Sequence, residues 1–179
     1  LCIERILYLG FSKTNTKKLL AKIEAALANG GVAEATDVCR NTRGPVASIF
    51  YQGLSRYDEG VEVVEKSVAS YGSVQLGLLE RNLSWISLFI GLSSMLGFLG
   101  TIVGMIQAFD KIQQVGDMSA SVVAGGIKVA LLTTLLGLVV AMILQVFYNY
   151  LLARIDSIVT DMEDSSISLL DIVVKYSKK

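Results

Sequence analysis

The sequence has no histidine, one proline and two cysteines among its 179 residues. Without histidine it lacks the usual general base and the commonest metal ligand. Cys2 and Cys39 match no zinc or redox spacing, so we expect them to be small buried residues. The sequence also shows no nucleotide loop and no nucleophile elbow. We therefore predict a protein that is not an enzyme and that holds no metal or cofactor.

Charged residues are scarce, at 18% of the chain, and hydrophobic residues are abundant, at 53%. Typical globular proteins have about 25% charged and 45–50% apolar residues. Residues 82–109 and 129–153 contain no charged side chain, and each stretch exceeds the roughly 20 residues that a helix needs to cross a bilayer. Acidic and basic residues are equal in number, which gives no reason to expect nucleic acid as a partner. The chain is predicted to lie in a lipid bilayer.

The remaining sequence shows helical periodicity and no strand signal, so we predict an all-α polytopic membrane protein with long helices that extend into the cytoplasm. The apolar start, Leu1 to Ile3, leads us to expect that most of a first span is missing from the chain. Basic residues are commoner beside the outer ends of the two spans than in the link between them, which places both ends in the cytoplasm. The predicted order is the end of a first transmembrane segment (1–11), a cytoplasmic helical domain (12–82), a transmembrane helix (83–109), a short periplasmic link (110–121), a transmembrane helix (122–153) and a cytoplasmic helical tail (154–179).

Local signals predict the helix ends within the cytoplasmic domain. Thr14 or Asn15 is expected to cap a helix, and Pro45 is expected at the first position of another. A long helix is expected to begin at Val61 and to enter the membrane at Leu83 without interruption.

Each span carries a stripe of small and hydroxyl-bearing residues at helical spacing. Helices in lipid associate through small residues, which allow close approach, and through hydroxyl hydrogen bonds. Two interpretations stay open: a packing seam within one subunit, or the lining of a cavity shared by several copies. The predicted pore-lining residues are Thr101, Thr134 and Thr133, and the predicted packing residues are Gly97, Gly100, Gly104, Gly126, Ala130, Gly137 and Ala141.

Neither span has an acidic residue in its interior. A proton relay normally needs an ionisable side chain within the membrane. If protons cross, the carboxylate should come from another polypeptide. Lys128 is the one charge near a span interior. It is either an interfacial lysine whose ammonium reaches water or a charge at the pore mouth that pairs with the partner.

Two motifs resemble the MotA/TolQ/ExbB proton-channel family. Residues 96–106, LGFLGTIVGMI, with Phe109 following, resemble the family's LGLLGTVxGMxxxF signature, and residues 126–138, GIKVALLTTLLGL, resemble its GIxxALxxTxxGL motif. Tyr148-Asn149 is similar to the pair at the helix exit. The resemblance extends in order over nearly the whole chain, and ExbB is the most similar branch.

This resemblance implies a three-span subunit of a bacterial inner-membrane motor. The family forms a homo-oligomer, a pentamer, around a single-span partner of ExbD or TolR type whose membrane aspartate carries protons. A TonB-like protein then passes the motion to the outer membrane. The family's pore threonines correspond to Thr101 and Thr134, whereas Thr133 lies beside the matched position.

The sequence departs from the family at two places. Lys128 and Val129 stand in a stretch where many ExbB sequences have a glutamate, and Ser93-Ser94-Met95 stands where a proline is common. Two other functions remain open: a TolQ-like subunit of an envelope-maintenance complex, and a non-conducting membrane scaffold.

Overall fold

A computed structural model describes residues 2–12, 15–116 and 120–177. Every regular element within these residues is helical, which confirms the predicted all-α class. The elements are α1 (Cys2–Phe11), α2 (Thr16–Asn29), α3 (Gly31–Arg40), α4 (Pro45–Leu54), a 3-10 turn (Tyr57–Glu59), α5 (Val61–Glu80), α6 (Leu83–Val115) and α7 (Ala120–Ser177).

The described chain forms two compact units. One, called here the helical domain, comprises residues 3–12, 15–81 and 151–177. The other, called the membrane hairpin, comprises residues 82–116 and 120–150.

The helical domain has its own apolar core. Phe50 of α4, Ile23 of α2 and Val64 of α5 are fully buried in it. The C-terminal part of α7 contributes one apolar face, on which Ile155, Ile158, Met162, Leu169 and Val173 are all buried.

The predicted helix starts in this domain are present. Asn15 is the N-cap of α2, and its side-chain oxygen accepts a hydrogen bond of 3.2 Å from the Lys18 N–H. The alternative cap, Thr14, lies outside the described residues. Pro45 begins α4, where its missing N–H forfeits no helical hydrogen bond.

The prediction of one uninterrupted helix from Val61 into the membrane is wrong. The helix α5 ends at Glu80, and α6 begins at Leu83. Between them Asn82 has a left-handed backbone, with φ of 68°.

The physical reason is a contact from far away in the chain. A continuous helix would use the carbonyls of Leu78 and Leu79 to accept hydrogen bonds from the amides four residues later. Instead both carbonyls accept hydrogen bonds from the Arg5 guanidinium, at 3.1 Å for Leu78. Arg5 thus caps the end of α5.

The hairpin helices are longer than the predicted spans. The helix α6 continues to Val115, and Gly116 ends it with φ of 68°. The helix α7 begins at Ala120, so much of the predicted link 110–121 is helical. The described residues include two helical stretches long and apolar enough to cross a membrane, with mean hydropathies of 2.0 and 2.5.

Candidate functional site

The two helices of the membrane hairpin meet backbone to backbone at Gly97 and Gly137. A Cβ atom added to Gly137 would lie 2.7 Å from the Gly97 Cα and 2.7 Å from the Ser93 carbonyl oxygen. No side chain fits in that space. These glycines let the helices approach closely enough for side chains on one to reach carbonyls of the other.

The other small residues predicted for packing lie mostly along the same contact. A Cβ atom on Gly100 would meet Thr133, one on Gly104 would meet Ala130, and one on Gly126 would meet Ala108. Ala130 and Ala141 are buried. The stripes of the two helices therefore face each other within one chain, and a role for these residues in an assembled pore stays a prediction.

Thr101 and Thr134 form a hydrogen-bonded pair across this contact. The Thr134 hydroxyl also lies 3.1 Å from the Gly97 carbonyl oxygen on the opposite helix. The same hydroxyl lies 3.2 Å from the Ala130 carbonyl oxygen, one turn back on its own helix. Thr101 lies 3.4 Å from the Gly97 carbonyl and 3.5 Å from that of Ala130. The hydroxyls of Thr101 and Thr134 thus share two acceptors, the carbonyl oxygens of Gly97 and Ala130.

This arrangement allows more than one pattern of hydrogen bonds. Each hydroxyl has one hydrogen to donate and two lone pairs, and the hydrogen rotates to suit its acceptor. Either threonine of the pair can donate to its partner or to a carbonyl. The pair can therefore change its hydrogen-bond pattern by rotation of the two hydroxyls. It cannot store a proton, since an alcohol is not ionised at physiological pH.

Thr133 lies beside this pair but makes different contacts. Its hydroxyl donates to the Ala130 carbonyl of its own helix, at 2.8 Å, and its side chain packs over Gly100. Within the described residues it has no hydrogen bond to α6. The structure thus brings Thr101 and Thr134 together and leaves Thr133 as a packing neighbour.

Lys128 lies on the exposed side of α7, in a shallow groove with Ile127, Leu131 and Leu135. Among the described residues no carboxylate lies within ion-pair distance of its ammonium. Both interpretations of Lys128, an interfacial lysine and a charge at a pore mouth, therefore stay open.

The outer surface of the hairpin is strongly apolar. Phe98 is 65% exposed, Leu131 64% and Val146 69%. Such residues are stable against lipid tails or against further helices. The surface fits a membrane environment, in contrast to the threonine hydroxyls at the hairpin contact.

The helical domain offers little chemistry by comparison. Cys39 is buried, and burial raises the pKa of its thiol to about 12, so it stays neutral and unreactive. Cys2 is half-buried. Within the described chain, no group of three histidine, cysteine or acidic residues is placed to hold a metal ion.

Sequence reasoning missed three buried polar side chains in the helical domain: Ser165 and the two larger ones, Arg5 and Gln75. Arg5 is 2% exposed and Gln75 is 8% exposed. Arg5 follows an apolar run, and Gln75 falls on the buried side of α5 among valines and leucines. A polar residue on a predicted apolar face is the signal that could have identified each of them.

These features define a helical membrane protein whose two apolar helices pack through glycines around a hydroxyl pair. Residues 41–164 match the MotA/TolQ/ExbB proton channel family. The chain belongs to this family.

Two relatives carry related names. The chain is 31% identical over 162 residues to a biopolymer transport protein ExbB homolog of Methanothermobacter thermautotrophicus, which covers 90% of this chain and 57% of the relative. It is 36% identical over 114 residues to a biopolymer transport protein, ExbB-like 3, of a Synechocystis species, which covers 62% of this chain and 53% of the relative. The chain thus spans little more than half the length of these relatives.

Proposed function

We propose that the protein is a proton-conducting subunit of an ExbB-type energy-transducing complex in the bacterial inner membrane. The observation that carries the proposal is the Thr101–Thr134 pair, which bridges two helices inside segments free of charged side chains. Membership of a proton channel family and the names of its relatives support it.

Because the two spans contain no acidic residue, the proposal requires a partner that supplies one. A chain of hydroxyls can pass a proton along, but a group that holds the proton has to be ionisable. Residues 82–109 and 129–153 contain no Asp, Glu, Lys, Arg or His. In the proposal a single-span protein of ExbD or TolR type contributes a membrane aspartate beside the threonine pair. A TonB-like protein receives the resulting motion.

Several copies are needed to surround such a partner. Two spans cannot enclose a polar path and a second polypeptide at once, so the proposal includes a homo-oligomer, a pentamer as in the family. The helical domain and the C-terminal part of α7 then lie in the cytoplasm. The exposed apolar residues of the hairpin face lipid and neighbouring copies.

The test is proton flux into liposomes that contain the protein and its single-span partner. Thr134→Val keeps the size of the side chain and removes the hydroxyl, and we expect flux to fall by about 10²-fold, the lower range for loss of a proton-transfer group. Thr134→Ser restores a hydroxyl and should restore much of the flux. A pH-sensitive dye trapped in the liposomes measures the rate.

Thr133→Val is the matched control. It makes the same chemical change one residue away, at a hydroxyl that bonds its own helix. We expect flux near the wild-type value. If Thr134→Val also conducts like the wild type, the Thr134 hydroxyl is not part of the proton path. If the wild-type complex binds the partner and passes no protons, the protein is better described as a non-conducting scaffold.

A further inference from the structure

The helix α2 carries a group of exposed lysines opposite its buried apolar face. Lys17, Lys18 and Lys22 are exposed, and together they are called here the α2 lysine cluster. In the sequence Lys13 adds a fourth basic residue just before the helix. Residues 5–23 contain five basic residues and no acidic one, so positive charge is concentrated in this part of the chain.

The α2 lysine cluster has no counter-charge within the described chain. No described carboxylate lies within ion-pair distance of these three ammonium groups, and Glu24, the one acidic residue of α2, lies 3.9 Å from Lys175 instead. Lys17 and Lys18 stand in the first turn of α2, where the helix dipole favours acidic side chains and disfavours basic ones. The lysines therefore do not stabilise α2 itself.

The preceding helix, α1, has an apolar face that the rest of the domain leaves uncovered. Ile3 is 76% exposed, Leu7 56% and Phe11 82%, and their spacing of four residues places them on one side of the helix. Lipid tails suit such a face, in agreement with the prediction that residues 1–11 end a transmembrane segment. Only six residues separate Phe11 from Lys17, a distance of at most about 20 Å along the chain.

We propose that the α2 lysine cluster docks on anionic lipid headgroups of the leaflet that α1 enters. A basic cluster beside the end of a transmembrane helix is attracted to an anionic membrane surface, and the long lysine side chains carry their charge to it. The apolar face of α1 favours lipid over an acidic protein segment as the occupant. A lipid supplies tails for that face and an anionic headgroup for the lysines, whereas an acidic segment supplies only the charge.

The first experiment measures how fast each lysine is acetylated in the full-length protein. The protein alone is placed in lipid nanodiscs of phosphatidylcholine, or of phosphatidylcholine mixed with phosphatidylglycerol, and mass spectrometry follows the labelling. We expect the α2 lysine cluster to react about fivefold more slowly in the anionic nanodiscs, the factor that corresponds to about 1 kcal/mol for each basic residue near an anionic surface. The difference should disappear in 1 M salt, because the Debye length falls to about 3 Å.

Lys66 is the control within the same molecule. It is exposed and lies 14 residues before the end of α5, which is about 20 Å along the helix and beyond the Debye length at physiological salt. Its labelling rate should be the same in both kinds of nanodisc.

The second experiment compares two variants that lose the same net charge. Lys18→Gln with Lys22→Gln changes the α2 lysine cluster, and Arg56→Gln with Lys66→Gln changes two exposed cations elsewhere in the helical domain. Phosphatidylglycerol should raise the melting temperature of the wild type, since a ligand of the folded state stabilises it. We expect the cluster variant to lose most of this rise and the control variant to keep it.

Slower labelling of the α2 lysine cluster in anionic nanodiscs, with a melting shift that only the cluster variant loses, supports the proposal. The proposal is overturned if the three lysines react equally fast in both lipids, or if they are protected in both, since a neighbouring protein surface then covers them. It is also overturned if Lys66 is slowed as much, or if both variants behave alike. Neither experiment uses the partner or measures proton flux, so the result is independent of the proposed function.

Discussion

Gly137 lies where the two hairpin helices are in backbone contact, so replacing its side-chain hydrogen by a methyl group should disturb their packing. Gly137→Ala places a methyl group 2.7 Å from the backbone of α6, where neither helix can yield without moving. We expect a loss of stability of about 1–3 kcal/mol, the usual range for an overpacked contact. Thermal unfolding of the protein in detergent measures it.

Gly91→Ala is the control for this change. It lies on the same pair of helices, but a Cβ atom there meets no atom within 4 Å. We expect it to melt at or slightly above the wild-type temperature, because alanine favours helix over glycine. Equal effects of the two substitutions would show that Gly137 is not a packing contact.

The buried thiol of Cys39 should make the stability of the helical domain fall at alkaline pH. Burial raises the pKa of the folded thiol from 9.0 to about 12, so above pH 9 the unfolded chain loses this proton before the folded one does. Stability is therefore lost as pH rises from 9 to 12, by up to about 1.4 kcal/mol per pH unit. Cys39→Ala should remove this part of the decline.

The measurement is the melting temperature of both proteins between pH 8 and 10.5. We expect the gap between wild type and Cys39→Ala to change in favour of the variant above pH 9. Parallel curves would mean that the thiol ionises as readily in the folded protein as in the unfolded chain.

Sequence spacing predicted which residues of the hairpin share a face, because helical periodicity is local. Spacing alone could not distinguish Thr133 from Thr134, although the family resemblance placed Thr134 at the matched position. These two hydroxyls are adjacent in sequence, and the choice between them depends on how far α6 lies from α7. The backbone contact at Gly97 and Gly137 sets that distance, and only the folded structure shows it.

The break between α5 and α6 is a case where local sequence misleads. Residues 79–83, LERNL, contain neither glycine nor proline, so a continuous helix is the natural prediction. The break involves Arg5, which lies more than 70 residues earlier in the chain. Its guanidinium donates hydrogen bonds to carbonyls in the last turn of α5. The contact itself leaves no signal in the sequence around residue 82, where Asn82, a residue that tolerates a left-handed backbone, is the local indication of a helix end.

Arg5→Ala should loosen the end of α5. It leaves the carbonyls of Leu78 and Leu79 without their donor, and hydrogen bonds from a charged group contribute about 1.5–3 kcal/mol. We expect the amides of the last turn of α5 to exchange hydrogen faster with solvent. Hydrogen–deuterium exchange with mass spectrometry measures this segment directly.

The control is the exchange of α2, which has no contact with Arg5 among its described hydrogen bonds. Its amides should exchange at the wild-type rate. If exchange rises equally throughout the helical domain, Arg5 supports the whole fold and not one helix end. If it changes nowhere, the capping hydrogen bonds contribute nothing measurable.

The two units contain different polar groups. The hairpin has a hydroxyl pair in an apolar surrounding, and the helical domain has buried polar side chains and the exposed α2 lysine cluster. Composition predicted the membrane segments, because a count of charges is enough for this; the need for an acid from another polypeptide stays a prediction.

The charge-free spans lead to a prediction about the protein alone. Without a membrane carboxylate, the Thr101–Thr134 pair has no group from which to receive a proton. Liposomes containing this chain without a partner should therefore pass protons no faster than empty liposomes, as measured with a trapped pH-sensitive dye. Adding the single-span partner should raise the rate, and a partner with its membrane aspartate changed to asparagine should not, although it still binds. Rapid proton flux through the chain alone would show that the hydroxyl pair and water are sufficient. The membrane aspartate of the partner would then not be needed for proton transfer.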